Sequence, residues 1–160
     1  MDVAQRLSAR VGKLLKERGL MLATAESCTG GWVAQVVTSV SGSSEWFDRG
    51  FVSYSNHSKQ EMLGVRSETL DKHGGVSAEV VQEMATGALT NSRAQVSVAI
   101  SGIAGPSGGT PHKPIGTVWL GWAMEGTEPR CRSTHFAGDR EMVRQQAVMA
   151  ALQGIIETVE

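Results

Sequence analysis

The run Ala25-Glu26-Ser27-Cys28-Thr29-Gly30-Gly31 sets a hydroxyl and a thiol between an apolar stretch, Leu20 to Ala25, and residues at helical spacing, Trp32, Val33, Val36, Val37 and Val40. A strand that turns sharply into a helix brings a side chain beside backbone N–H groups with no partner inside the helix and a partial positive charge. That setting suits attack by the Ser27 hydroxyl on a carbonyl carbon, with the oxyanion held by amides near Thr29, Gly30 and Gly31. On spacing alone, Ser27 or Thr29 reads first as a helix N-cap, and the Gly-x-Ser-x-Gly elbow is absent. Cys28 is an alternative nucleophile. Neighbours on an extended segment point opposite ways, so only one of Ser27 and Cys28 faces a given site.

Tyr54-Ser55-Asn56-His57-Ser58-Lys59 holds the chain's only tyrosine, at the end of a predicted strand, where open α/β sheets place ligand sites. Lys59 serves as a general base only if burial or a neighbouring positive charge, Arg140 for instance, lowers its pKa. Serine–lysine pairs carry out acyl transfer in known variants of the serine triad, but the Ser-x-x-Lys spacing is missing here. The pairing of Ser27 with Lys59 therefore cannot be read from spacing. Otherwise Lys59 is an exposed lysine and Tyr54 a packed ring.

A third group, Ser101-Gly102-Ile103-Ala104-Gly105-Pro106-Ser107-Gly108-Gly109, follows a predicted strand. Its amides could cradle an anion, although it matches neither the Walker A nor the Gly-x-Gly-x-x-Gly pattern. The alternative is a flexible connection. Arg140 and Arg144 lie one helical turn apart, early in a predicted helix where a cation opposes the dipole. They either bind an anion, or Arg144 pairs with Glu141 or Asp139 at the surface. His57, His73, His112 and His135 have no ligand spacing, so no metal and no cofactor are expected.

The elements that must carry these residues alternate along the chain. Helices are predicted from Val3 to Leu15, from Thr29 to Val40, over about 58–63 and 67–73, from Ser77 to Leu89, and from Asp139 onward. Ser67, Ser77 and Asp139 read as caps, and Gly19 and Gly74 as stops. Strands are predicted over 20–25, Phe51–Tyr54, Val96–Ser101, Thr117–Met124 and Arg130–Phe136. The last two form a hairpin across Glu125 to Pro129. The pattern implies a three-layer α/β/α domain with a mixed sheet, spanning residues 1–160. Gly102 to Gly116 is the one long irregular segment, and loops of that length are usually functional.

With 160 residues and a formal charge of −1, the chain offers no basic face for nucleic acid. No apolar run approaches a bilayer span, and the N-terminus lacks a signal-peptide pattern, so a cytoplasmic protein with no membrane partner is expected. Cys28 and Cys131 read as reduced thiols. Trp46 and Phe47 read as exposed apolar residues that could form a homodimer surface.

Taken together, four blocks resemble the CinA C-terminal domain family. They are Thr24 to Gly31, Gly50 to Asn56 with Lys59, Ser101 to Pro106, and Gly138-Asp139-Arg140; the Gly74 to Ser77 and Lys113 to Val118 stretches fill the intervals. The resemblance covers nearly the whole chain. It implies an amidohydrolase that converts nicotinamide mononucleotide to nicotinate mononucleotide and ammonia in bacterial pyridine-nucleotide salvage. By the same resemblance Ser27 would be the nucleophile, Lys59 its base, and Tyr54 their neighbour. The Ser101, Gly102 and Gly105 loop, with Arg140 or Arg144, would contact the nucleotide. Two other classes compete with this reading: a non-catalytic nucleotide-binding module, and an amidase for another small amide.

Overall fold

The computed structural model describes residues 2–160. Its order is α1 (Val3–Arg18), β1 (Leu22–Glu26), α2 (Trp32–Thr38), a 3-10 turn (Ser43–Glu45), β2 (Phe47–Val52), α3 (Asn56–Leu63), α4 (Ser67–His73), α5 (Ala78–Thr90), β3 (Val96–Gly102), β4 (Thr117–Met124), β5 (Arg130–His135) and α6 (Arg140–Val159). The sheet runs β2-β1-β3-β4-β5. Strands β2, β1 and β3 are parallel, whereas β4 and β5 form the antiparallel hairpin.

The chain steps from β1 outward to β2, then back across β1 to β3. Right-handed crossovers in opposite directions put their helices on opposite faces of a sheet. The core divides accordingly. Leu22, Val96, Val98, Ile100 and Leu120 face α1, α2 and α6. Ala23, Ala25, Ala99 and Ala123 face the α3–α5 layer. Every residue of β1 is buried, as expected of a strand covered on both faces. The small residues on the second face let α5 sit close; a Cβ at Gly121 would lie 2.7 Å from the Val81 carbonyl oxygen.

Caps at Ser77 and Asp139 are present: Ser77 accepts from the Val80 amide and Asp139 from the Met142 amide. Four expectations need correction. Helix α2 begins at Trp32 rather than Thr29, because Gly30 and Gly31 sit at φ 61° and 104° and make a turn instead of a first helical turn. Strand β2 begins at Phe47 rather than Phe51; it is a half-exposed edge whose pairing shifts register beside Leu22, which blurs its alternation. The cap of α4 is Arg66, with Ser67 already inside the helix. Trp46 is 3 % exposed, so it offers no dimer surface. Its ring lies over α1, where a Cβ at Gly12 would collide with the indole.

Candidate active site

The carboxyl ends of β2, β1 and β3 lie side by side, with β1 in the middle. An open parallel sheet binds ligands at that edge, beside the strand where the connections reverse direction. Ser27 follows β1 directly, and its amide donates to the Ile100 carbonyl of β3 (3.0 Å). Strand alternation then sorts three consecutive side chains. Glu26 turns to the α2 face, Ser27 to the α3 face, and Cys28 back into the core beneath α2 and α6.

Lys59 comes from the middle of α3, capped by Ser55, whose hydroxyl accepts from the Ser58 amide. Its Nζ lies 3.0 Å from Ser27 Oγ and 3.3 Å from the Tyr54 carbonyl oxygen. The Ser27 hydroxyl also reaches that carbonyl, at 3.2 Å. Lysine and serine are 2 % and 6 % exposed. No carboxylate pairs with Lys59 among the described residues. Burial pushes its pKa below the usual lysine value, and the nearby Cys28 works the other way. Burial is the leading cause that lowers the lysine, while Arg140, expected to help, is engaged with the Gly105 carbonyl at the cavity mouth.

Those contacts lie at the mouth of the site. Arg140 Nη1 donates to the Gly105 carbonyl (2.9 Å), and Nη2 reaches the Tyr54 hydroxyl at 3.4 Å. Tyr54 is 61 % exposed, a rim residue and not a packed ring. Ser101, fully buried, donates to the Gly75 carbonyl (2.6 Å) and ties the end of β3 to the loop before α5. Ser27, Cys28, Tyr54, Asn56, Lys59, Gly75, Val76, Ser101, Gly102, Ala104 and Arg140 line a cavity of about 340 Å³. Asn56, Gly75 and Val76 lie within the stretches named from the sequence, which gives them no part in the site. Asn56 falls one helical turn before Lys59, the spacing that would have pointed to it.

Thr29, Gly30, Gly31, Gly105 and Arg144 do not line this cavity. The α2 amides are already engaged: Glu26 accepts from Val33 N (2.9 Å), Ala34 N (3.1 Å) and the Thr29 hydroxyl (2.6 Å). The Gly30 amide donates to the Ser27 carbonyl (3.1 Å). Arg144 donates to the Cys28 and Thr29 carbonyls and so stands behind the turn. Neither Glu26 nor Asp139 touches Lys59; the first holds α2 and the second caps α6.

Burial raises the Cys28 thiol to about 11, which leaves it protonated and poorly nucleophilic at neutral pH. The amine that meets the Ser27 hydroxyl is both buried and lowered in pKa. A larger hollow of about 580 Å³ between α3, α5 and the β4–β5 turn is lined by Arg66, Glu79, Glu83, Thr86 and neighbours, with no serine, cysteine, lysine or histidine among its lining residues. The smaller cavity is the one that sets a hydroxyl beside an amine without an acidic partner, with an arginine at the rim.

Comparisons with known proteins agree on one family. The CinA C-terminal domain model matches residues 4–159. The nicotinamide-nucleotide amidohydrolase PncC of Escherichia coli strain K12 is 57 % identical over 148 residues, 92 % of this chain and 90 % of that protein. The protein of the same name from Pseudomonas putida is 47 % identical over 157 residues, 98 % of each chain. Among solved structures, competence/damage inducible protein CihA from Agrobacterium tumefaciens superposes with a TM-score of 0.97 at 40 % identity, covering 100 % of this chain and 98 % of that one.

Proposed function

The chain belongs to the CinA C-terminal domain family, and from that premise we propose that it is a nicotinamide-nucleotide amidohydrolase working through Ser27 and Lys59. The observation that carries the reading is the buried 3.0 Å contact between Lys59 Nζ and Ser27 Oγ. It stands in a chain more than half identical to a protein named for that activity.

The steps follow from the groups in the cavity. Neutral Lys59 takes the Ser27 proton as Oγ attacks the carboxamide carbon of nicotinamide mononucleotide. The tetrahedral intermediate collapses, the C–N bond breaks, and Lys59 passes its proton to the departing nitrogen, which leaves as ammonia. Lys59 then draws a proton from water, which attacks the acyl-enzyme ester; the C–Oγ bond breaks and Lys59 returns the proton to Ser27 Oγ, releasing nicotinate mononucleotide and restoring the neutral amine. No metal or cofactor enters the scheme. Cys28 and Gly102 line the same cavity and are the candidate amide sources for the oxyanion, with Thr29, Gly30 and Gly31 shaping the turn.

Arg140 spends two of its donors on protein and keeps the rest for the substrate phosphate, with Tyr54 beside it. Ser101 and Gly102 frame the nucleotide from the end of β3, and Gly105 acts one step back, holding Arg140 through its carbonyl. Anchoring the phosphate orients the amide against Ser27, so nicotinamide without its ribose phosphate should be a poor substrate. A nucleotide-binding module without chemistry would have no reason to bury an unpaired amine against a hydroxyl. Both cysteines are free thiols, which suits the reducing cytoplasm where such a nucleotide is found.

The test is incubation of the purified protein with nicotinamide mononucleotide, following ammonia and nicotinate mononucleotide. Stoichiometric release that disappears in Ser27→Ala supports the reading. Undiminished release from Ser27→Ala removes the covalent mechanism, and no release from the wild type removes the activity.

A further inference from the structure

Arg144 sits in the second turn of α6, half-buried, and it reaches across to the nucleophile turn. Its Nε donates to the Cys28 carbonyl (3.0 Å) and its Nη2 to the Thr29 carbonyl (3.3 Å). The guanidinium carbon lies 5.4 Å from the centroid of the Trp32 ring, at the start of α2. This one side chain thus touches residues 28, 29 and 32 and has no place in the cavity wall.

A trans peptide is planar, with its C=O and N–H pointing opposite ways. Fixing the Cys28 carbonyl therefore fixes the Thr29 N–H, directed away from Arg144. Fixing the Thr29 carbonyl fixes the Gly30 N–H, which closes the turn on the Ser27 carbonyl at 3.1 Å. The buried Glu26 carboxylate takes the Thr29 hydroxyl and two α2 amides. The turn is thus held by an anion and a cation together. Gly30 and Gly31, both at positive φ, supply no stiffness of their own.

We propose that Arg144 is a positioning residue: its forked contact with the Cys28 and Thr29 carbonyls sets the peptide planes that aim the Ser27 hydroxyl, and it does not bind the substrate phosphate. The proposal rests on Ser27 as nucleophile and separates the two arginines of α6. Arg140 faces the cavity; Arg144 faces the turn. Lysine cannot replace it, because a point-charge ammonium lacks the planar fork that spans two carbonyls.

The experiment compares wild type, Arg144→Lys and Arg144→Gln by three readings. These are steady-state kinetics on nicotinamide mononucleotide, calorimetric binding of nicotinate mononucleotide, and hydrogen exchange at the Gly30 amide. A positioning role lowers kcat by about 10- to 100-fold in both variants. It leaves product affinity within about twofold, and it speeds exchange at Gly30 because the turn loosens. Product affinity weakened about tenfold or more, with exchange at Gly30 unchanged, would overturn the proposal and return Arg144 to the phosphate. So would an unchanged kcat. If wild type itself releases no ammonia, the amidase reading fails, and exchange at Gly30 alone then decides the role of Arg144.

Discussion

Glu26 and Ser27 are neighbours in sequence, yet their side chains serve opposite layers of the molecule. The Glu26 carboxylate accepts the Val33 and Ala34 amides of α2, and the Ser27 hydroxyl meets Lys59 of α3. One residue of strand alternation separates anchoring from chemistry. The helix terminus that first suggests an anion site is thereby closed by the protein's own carboxylate.

Glu26→Gln tests that anchoring. Three donors converge on the two carboxylate oxygens. A glutamine keeps one acceptor oxygen and turns an NH2 group against a buried donor. Leaving a buried donor unpaired costs about 1–3 kcal/mol. At this chain length each kcal/mol lowers Tm by about 2–4 °C. Circular-dichroism melting should record a fall in that range, and a Tm equal to wild type would mean the carboxylate charge is dispensable to α2.

Lys59→Met should separate stability from activity. The methionine is similar in length, apolar, and replaces an amine buried without an acidic partner, so Tm should hold or rise. Activity should fall by about 10³-fold or more, because the Ser27 proton loses its acceptor. Combining it with Ser27→Ala should add little further loss, since the two act as one unit. Ammonia release by Lys59→Met within a few-fold of wild type would reduce the lysine to packing.

The pH profile carries a defined sign. Only the neutral amine accepts a proton, so kcat/KM should rise with pH through the Lys59 pKa, and burial sets that limb below the usual lysine value. The same shift acts on stability. Below the folded-state pKa the unfavourable burial of the charged amine is fully present. As pH rises from the folded toward the unfolded pKa, the unfolded state binds more protons and stability increases. Lys59→Met should abolish that rise in denaturant midpoint with pH; if the variant keeps it, another group titrates there.

Cys28 should be a bystander. With its thiol raised to about 11, alkylation by iodoacetamide should stay slow at neutral pH and accelerate only toward that value. Cys28→Ala should keep kcat within a few-fold. Rapid alkylation at pH 7 together with loss of turnover would make the thiol the nucleophile.

The layers, the hairpin, the caps at Ser77 and Asp139 and the blocks around Ser27, Lys59 and Arg140 were legible because each has a local signature: period, turn chemistry or motif. The Ser27–Lys59 contact had no such signature, and only the family resemblance implied it. It spans 32 residues and depends on β1 lying beside β2, with α3 folding back over that edge. Trp46 was misread as exposed because nothing local reveals that α1 offers Gly12 as its seat. The different contacts of Arg140 and Arg144 were equally hidden. Both lie on one helical face, and only the path of the 27–31 turn beneath α6 distinguishes them.

Gly87 tests whether helix spacing sets the catalytic distance. A Cβ there would fall on the Leu63 carbonyl oxygen, at the end of α3 and one turn beyond Lys59. Gly87→Ala must push α3 from α5, at about 1–3 kcal/mol of overpacking. Lys59 rides on the displaced helix. Gly126→Ala is the control: φ is +85° in the β4–β5 turn, with nothing near the added methyl, so its cost of about 1–2 kcal/mol is backbone strain alone. The two variants should lose similar stability by chemical denaturation. Only Gly87→Ala should lose kcat as well, by about tenfold or more, because a shift of even a fraction of an ångström breaks the serine–lysine contact. Equal kcat in the two variants would show that the contact tolerates movement of α3 and is not set by this approach.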